Sequence, residues 1–469
     1  MPLGSDAITI TETNEIGAPT ATYIYSATGE PSQVRTTSGT SEDVTVRHER
    51  RRRVDIVDSL QAFSSSIAGL LASRAVLEGV GVGDASASPT VALLHSVLQD
   101  SMGRIATILF AHRLGSSLEP ECKMYRLAAD VLNDSAMVFD CLSPAFPKHL
   151  RVVVLALSSV LRALCGVAAG SSKASLSSHF AKRGNLGELN AKDSSQETVI
   201  SLLGMLCGSL VVSHISTPFT TWTTLLFLLL VHISTNYAAV RSVNMTTLNR
   251  QRANIVFSTL FDEGIAPTPS QTSKRERIFE RDGILRWKAS STTLGSCRIG
   301  VSFQELLCDS GRRANSIRDV PIDINRLLRL FEKERYILWF NPVNRKGTIV
   351  LKNNATPISQ LKAWSHALMV AKRVTTLAGD KPGKVEMINK LVSESREEKS
   401  TRRDLQKNDN DSVPANLTDP DTMFSILEST LKTHSASFGD QIGQLKDSGW
   451  DVDTPSLETR PGRRFEVVE

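Results

Sequence analysis

The sequence predicts a mainly α protein: a membrane-associated helical bundle of about six helices, followed by a small α+β domain, with disordered termini. Three observations carry this. Residues 198–240 contain no Lys, Arg, Asp or Glu, and Thr217-Pro218 divides them into two apolar stretches. Each is near the roughly 20 residues that cross a bilayer as a helix. From Val54 to about Thr247 the apolar residues recur with helical periodicity between Gly, Pro and Asn breaks. Beyond about residue 285 the pattern changes to short β-branched and aromatic runs, YILWF at 336–340 and TIVL at 348–351, around an Asn-Pro/Gly turn region.

Taken in order, residues 1–53 form a tail rich in Thr, Ser, Gly and Ala, with too little apolar surface to offset the entropy of folding. It ends in the basic run His48 to Arg53, which reads as a solvated flank or, less simply, a lipid-headgroup contact. The helical membrane domain spans 54–261, with apolar stretches at about 56–82, 90–113, 123–142, 150–170, 198–216 and 219–240. Ser194 to Glu197 has the S-x-x-E spacing of a capping box and predicts a helix start there. Glycines recur at four-residue spacing as Gly79/Gly83, Gly166/Gly170 and Gly204/Gly208, the pattern that lets two helix backbones approach closely in lipid.

The break at Pro218 is short enough to force an antiparallel hairpin, which places both outer ends on one side. That side carries Lys182, Arg183 and Lys192 before the hairpin and Arg241, Arg250 and Arg252 after it, the excess expected of cytoplasm-like loops. A hairpin buried in a large soluble core stays open, because Thr, Ser and His dilute both stretches. Residues 262–285 read as a charged linker with Pro267 and Pro269, 286–376 as the α+β domain, and 377–469 as a mostly disordered tail. Within the domain, Pro357 at a first helical position with Thr356 as cap predicts a helix. Within the tail, Phe424, Ile426, Leu427 and Leu431 predict one amphipathic helix for a partner.

Composition narrows the function. A formal charge of +5, from 54 basic and 49 acidic residues, carries no nucleic-acid footprint. The six cysteines have no paired spacing and imply a reducing compartment. The amino terminus has neither a secretory signal nor a transit peptide: its first 45 residues hold six acids against one Arg. The expected location is an intracellular membrane, with the organelle open.

The helical region resembles the root UVB-sensitive (RUS) family. The resemblance rests on SLQAFSSSIAGLLASRAVLEGVGVGDASASPT (Ser59 to Thr90), ADVLNDSAMVFD (Ala129 to Asp140) and SSHFAKRGNLGELNAKDSSQETVISLLG (Ser177 to Gly204). It implies a membrane-associated protein linked to vitamin B6 homeostasis and, in plants, to early ultraviolet-B responses. It further implies a homo- or hetero-oligomer with another family member, and it brings no established catalytic residues.

No Walker loop or metal-ligand spacing occurs, and GVGVG follows a helix where a dinucleotide fingerprint requires a strand. The chain therefore reads as a non-enzyme with no assigned cofactor and no metal site. Ligand binding or scaffolding is the expected role, with a small-molecule transporter or a soluble helical adaptor as alternatives. Candidate ligand-binding residues are Asp100 and Arg104, one helical turn apart and able to pair inside a bundle, and Asn133 and Asp134 on a second helix. Lys173, His179, Lys192, Asp193 and Glu197 join them in the dense polar stretch between the fourth and fifth helices, where cations near a helix start suit a small phosphorylated ligand. His214 and His232, in the apolar hairpin, read as satisfied packing residues.

Overall fold

The computed structural model describes residues 7–13, 19–26, 41–80, 89–181, 185–215, 217–308, 323–378, 419–459 and 463–465. They form two compact units. The first comprises 1–97, 133–158 and 176–242, and the second 98–132, 159–175 and 243–469.

The first half of the chain contains β1 (Ala7–Thr13), β2 (Pro19–Ser26), α1 (Ser41–Val80), α2 (Pro89–Leu118), α3 (Cys122–Leu142), α4 (Lys148–Phe180), α5 (Leu186–His214) and α6 (Pro218–Ser242). β1 and β2 pair antiparallel, Ala7 opposite Ser26, where composition alone predicts no structure. α1 begins at Ser41, so the basic run His48 to Arg53 is helical. Four segments are long and apolar enough to cross a membrane: Ser59–Gly79 within α1, and α4, α5 and α6. On α5 and α6 large apolar side chains such as Leu206, Leu210, Phe227 and Leu230 are exposed, as lipid-facing residues must be.

The break at Thr217-Pro218 is where expected. α5 ends at His214, Pro218 opens α6, and Thr217 Oγ1 accepts the Thr220 N–H at 3.2 Å. The two helices nevertheless pack along α1 rather than along one another. At Gly204 an added Cβ would lie 2.8 Å from Ser66 Cβ and 3.0 Å from the Phe63 carbonyl, and at Gly208 it would lie 2.7 Å from Leu70 Cδ1. This pair therefore permits the close α1–α5 crossing. Gly166 and Gly170 have open space around them, Gly79 touches Arg151 and Ser143, and Gly83 lies outside the described residues. Ser194 and Glu197 are not a cap: α5 starts eight residues earlier, at Leu186, and both sit within it.

The second unit holds α7 (Arg250–Glu263), α8 (Pro269–Arg275), β3 (Ile284–Leu285), β4 (Gly295–Ile299), α9 (Phe303–Cys308), α10 (Ile324–Leu330), β5 (Tyr336–Asn341), β6 (Lys346–Lys352), α11 (Pro357–Leu377), α12 (Pro420–Asp447) and β7 (Arg464–Phe465). Eight helices thus precede the mixed sheet among the described residues, where periodicity predicts about six. The additional two are α7 and α8. The sheet runs β3-β4-β6-β5, with β7 also pairing β6; β4–β6 and β6–β7 are parallel and the other pairs antiparallel. β5, β6 and α11 match the expected strands and helix, and Thr356 caps α11 in a reciprocal capping box with Ser359.

Two expected boundaries change. The stretch 262–285 is not a bare linker: α8 has its own capping box, Thr268 with Gln271, and Glu276 is buried. The tail 377–469 contains α12, whose Phe424, Ile426, Leu427 and Leu431 enter the core of this unit with α7, α11 and the sheet. Its amphipathic face is covered by its own domain. Trp364 is fully buried and donates from Nε1 to Asn254 Oδ1 at 2.9 Å, tying α11 to α7, while Trp450 donates to the Pro267 carbonyl at 2.8 Å. Residues 379–418 lie outside the described residues.

Candidate functional site

In the first unit α1, α3 and α6 change from apolar to polar at a common level. One side is an apolar cluster of Ala68, Leu71, Ala72, Ala75, Met137, Cys141, Leu225 and Leu229. Next to it, each helix presents a buried polar residue: Gln61 from α1, Asp134 from α3, and His232 with Asn236 from α6, between 1% and 7% exposed. His232 Nδ1 lies 2.8 Å from Asp134 Oδ1 and 3.0 Å from Oδ2, and its Nε2 faces Gln61 Nε2 at 3.3 Å. Nδ1 thus faces the carboxylate and Nε2 the Gln61 amide, so both ring nitrogens are engaged by side chains. One helical turn on, the Asn236 amide is buried with no hydrogen-bond partner on either its nitrogen or its oxygen among the described residues. Burying an amide without partners costs several kcal/mol, about 2 to 7 by transfer measurements, so an unpaired buried amide calls for an explanation, of which a bound group is one.

Of the expected residues, the structure brings Asp134 into this layer. Asn133, its neighbour, is half-buried. Asp100 and Arg104 are both exposed, and no ion pair joins them among the described residues. Lys173 and His179 are half-buried on α4, His179 packing edge-on to Phe180. Lys192, Asp193 and Glu197 are exposed along α5, Lys192 pairing with Glu188. The polar stretch is thus largely a solvated helix face. His214 is exposed and bonds to the Leu210 carbonyl. Sequence reasoning missed Gln61, Asn236 and the role of His232. The available signal was the i, i+4 spacing of His232 and Asn236 on one face of an apolar helix.

The second unit has its own buried charges. Glu276 accepts from Lys123 Nζ at 2.6 Å and from Arg252 Nε at 3.0 Å. Burial pushes the Glu276 carboxyl up, but Arg252 and Lys123 outweigh it and hold the carboxyl below its ordinary value. Glu121, accepting from Asn249 Nδ2 at 2.9 Å, is pushed up to about 7 by burial, which Arg252 and Arg250 only partly offset. In the core, Tyr336 and Thr430 hydroxyls bracket the His366 ring at 3.1 and 3.0 Å, and Ser365 Oγ lies 2.8 Å from His434 Nε2. Burial lowers both imidazoles, His434 to about 4. Ser365 is fully buried and also donates to the Leu361 carbonyl, so this pair faces packing rather than a substrate. An opening of about 620 Å³ between α10 and α12 interleaves cations such as Arg329 and Lys432 with Glu332 and Glu428. Among the described residues no group of three or more His, Cys, Asp or Glu could hold a metal ion.

Residues 54–264 match the family model described as the vitamin B6 photo-protection and homoeostasis domain. That range contains Gln61, Asp134, His232 and Asn236. The chain is 32% identical over 322 residues to protein root UVB sensitive 3 of Arabidopsis thaliana, covering 67% of this chain and 69% of the relative. It is 42% identical over 225 residues to RUS family member 1 of Dictyostelium discoideum, covering 47% of this chain and 43% of the relative, less than half that protein's length. Protein root UVB sensitive 5 of Arabidopsis thaliana is 26% identical over 354 residues, covering 71% of this chain and 66% of the relative. No solved structure matches. A helical region with membrane-length spans, carrying the domain at 54–264 and similar along two thirds of its length to a root UVB sensitive protein, belongs to the RUS family.

Proposed function

We propose that this RUS-family chain serves vitamin B6 homeostasis by binding a small polar ligand within its membrane helices, not by covalent chemistry. The observation that carries the reading is the buried layer Gln61–His232–Asp134 with the unpaired Asn236 amide beside it. Ionisable groups are expensive inside a bilayer and persist where they bind or conduct something. An inert scaffold has no use for an unsatisfied amide next to a carboxylate–imidazole pair. The vitamer as ligand, an intracellular membrane as location, and association with a second RUS-family protein belong to this proposal, supported by the family and by the four membrane-length spans.

The test is equilibrium binding of labelled pyridoxal and pyridoxal phosphate to the purified full-length chain and to Asp134→Asn. The substitution keeps an acceptor for His232 Nδ1–H and removes only the charge. Binding in the wild type and at least a tenfold loss in the variant is expected; equal affinity would sink the reading. The same layer also suits a transporter, since intramembrane carboxylate and histidine pairs carry protons or substrates. Flux of labelled vitamer into proteoliposomes separates the two, because a binding protein gives none.

A further inference from the structure

Directly after α6, the chain builds a cationic surface that the buried layer does not use. Val243, the residue following the membrane-length helix α6, accepts at its carbonyl from Ser273 Oγ at 3.0 Å. This ties α8 to Val243, the residue with which the second unit resumes after α6. Arg275 and Arg277 follow within four residues and are exposed, whereas Glu276 between them turns inward to Lys123 and Arg252. The alternation strips the one carboxylate out of the basic run Lys274 to Arg277 and leaves its outer face purely cationic.

Arg275 and Arg277 line a small cavity together with Gln251, Asn254, Glu280, Arg286 and Lys288. Glu280 is occupied by Arg286 Nε at 2.8 Å. Among the described residues the Arg275 and Arg277 guanidiniums make only long hydrogen bonds, 3.4 Å to Thr259 Oγ1 and 3.3 Å to the Ser290 carbonyl. The Gln251 Oε1 accepts the Arg277 N–H at 3.0 Å, while its Nε2 is a buried donor without an acceptor among the described residues. The cavity, about 10 Å³, holds one oxygen-sized group rather than a whole metabolite. An anion presented from outside, with one oxygen inserted toward Gln251, fits this shape.

We propose that Arg275, Arg277 and the Gln251 amide hold the phosphate of an anionic lipid headgroup, docking the sheet-bearing unit onto the bilayer where the chain leaves α6. Guanidiniums match phosphate oxygens in forked geometry, and basic residues just outside a membrane helix are drawn to anionic leaflets.

Purified full-length chain in neutral detergent would be titrated calorimetrically with dioctanoyl phosphatidic acid, dioctanoyl phosphatidylcholine and inorganic phosphate. Phosphatidic acid should bind, with phosphatidylcholine at least tenfold weaker. The Arg275→Gln/Arg277→Gln variant should lose roughly tenfold or more in phosphatidic acid affinity, the expectation for two juxtamembrane cations. Should that variant fail to fold, Gln251→Glu keeps the acceptor for Arg277 and places a negative charge on the cavity, and should weaken phosphatidic acid to a similar degree. Unchanged affinity in the folded variants overturns the site. Inorganic phosphate binding as tightly as the lipid overturns the lipid assignment in favour of a free phosphate.

Discussion

Asp134 and His232 are single residues 98 positions apart, yet each supplies what the other needs. The buried carboxylate finds a donor, and the imidazole finds an acceptor that orients it. Removing one partner strands the other, so His232→Leu should destabilise the fold by about 3 kcal/mol or more, whereas Asp134→Asn should cost less. Thermal unfolding in detergent would distinguish the two. Two further groups contribute to the pH response of the second unit. His434 has a folded value of about 4 against an ordinary 6.5. Its contribution is therefore present above pH 6.5 and is lost as pH falls through 4. His434→Phe should flatten the loss between 6.5 and 4, followed by tryptophan fluorescence. Glu121 runs the other way, raised from 4.5 to about 7. Its contribution is present below 4.5 and is lost as pH rises through 7, so Glu121→Gln, which keeps the acceptor for Asn249, should gain stability relative to wild type at pH 8.

Glycine spacing is a property of the helices, and the three pairs behave differently. Gly204 on α5 meets the α1 backbone, so Gly204→Ala forces two rigid elements apart and should cost about 1–3 kcal/mol. Gly166→Ala on α4 meets open space and should be neutral or stabilising by up to about 1 kcal/mol, Ala being the better helix former. Comparing the two melting temperatures in one detergent checks both. The S-x-x-E at Ser194 to Glu197 shows why local patterns mislead at this level. Ser and Glu can cap a helix, but α5 had already begun at Leu186, and an exposed polar turn inside a long helix carries the same letters.

Across the whole molecule, the family domain ends at 264 while the second unit runs from 243 to the last described strand, apart from its two earlier segments. α7 therefore belongs at once to the matched sequence and to the core of the sheet-bearing unit, through Val256, Phe257 and Leu260. α12 closes that core from far along the chain, at Pro420–Asp447. Truncation after residue 418 uncovers Trp339, which packs on Phe424, strips Ser365 and His366 of their His434 and Thr430 partners, and should leave this unit unfolded, read as loss of protease resistance across 243–378. A stable truncated chain would mean that α12 is an accessory. The membrane-length spans make a second expectation: the chain should stay with the pellet on carbonate extraction.

The amino-acid sequence by itself determined that the long apolar runs are helices, because a run without charges has only one conformation that satisfies its backbone in lipid, and that Pro218, Thr356 and Pro357 mark helix starts. It also determined the two central strands, through β-branched and aromatic residues bounded by turn formers. Which residues make the candidate site was decided by tertiary structure. Asp134 and the polar stretch near Lys192 look equally functional in sequence, but packing buries the first against His232 and leaves the second in solvent. A hydrogen bond between α3 and α6, or an amide left unpaired between helices, depends on which faces meet, and no local spacing encodes that.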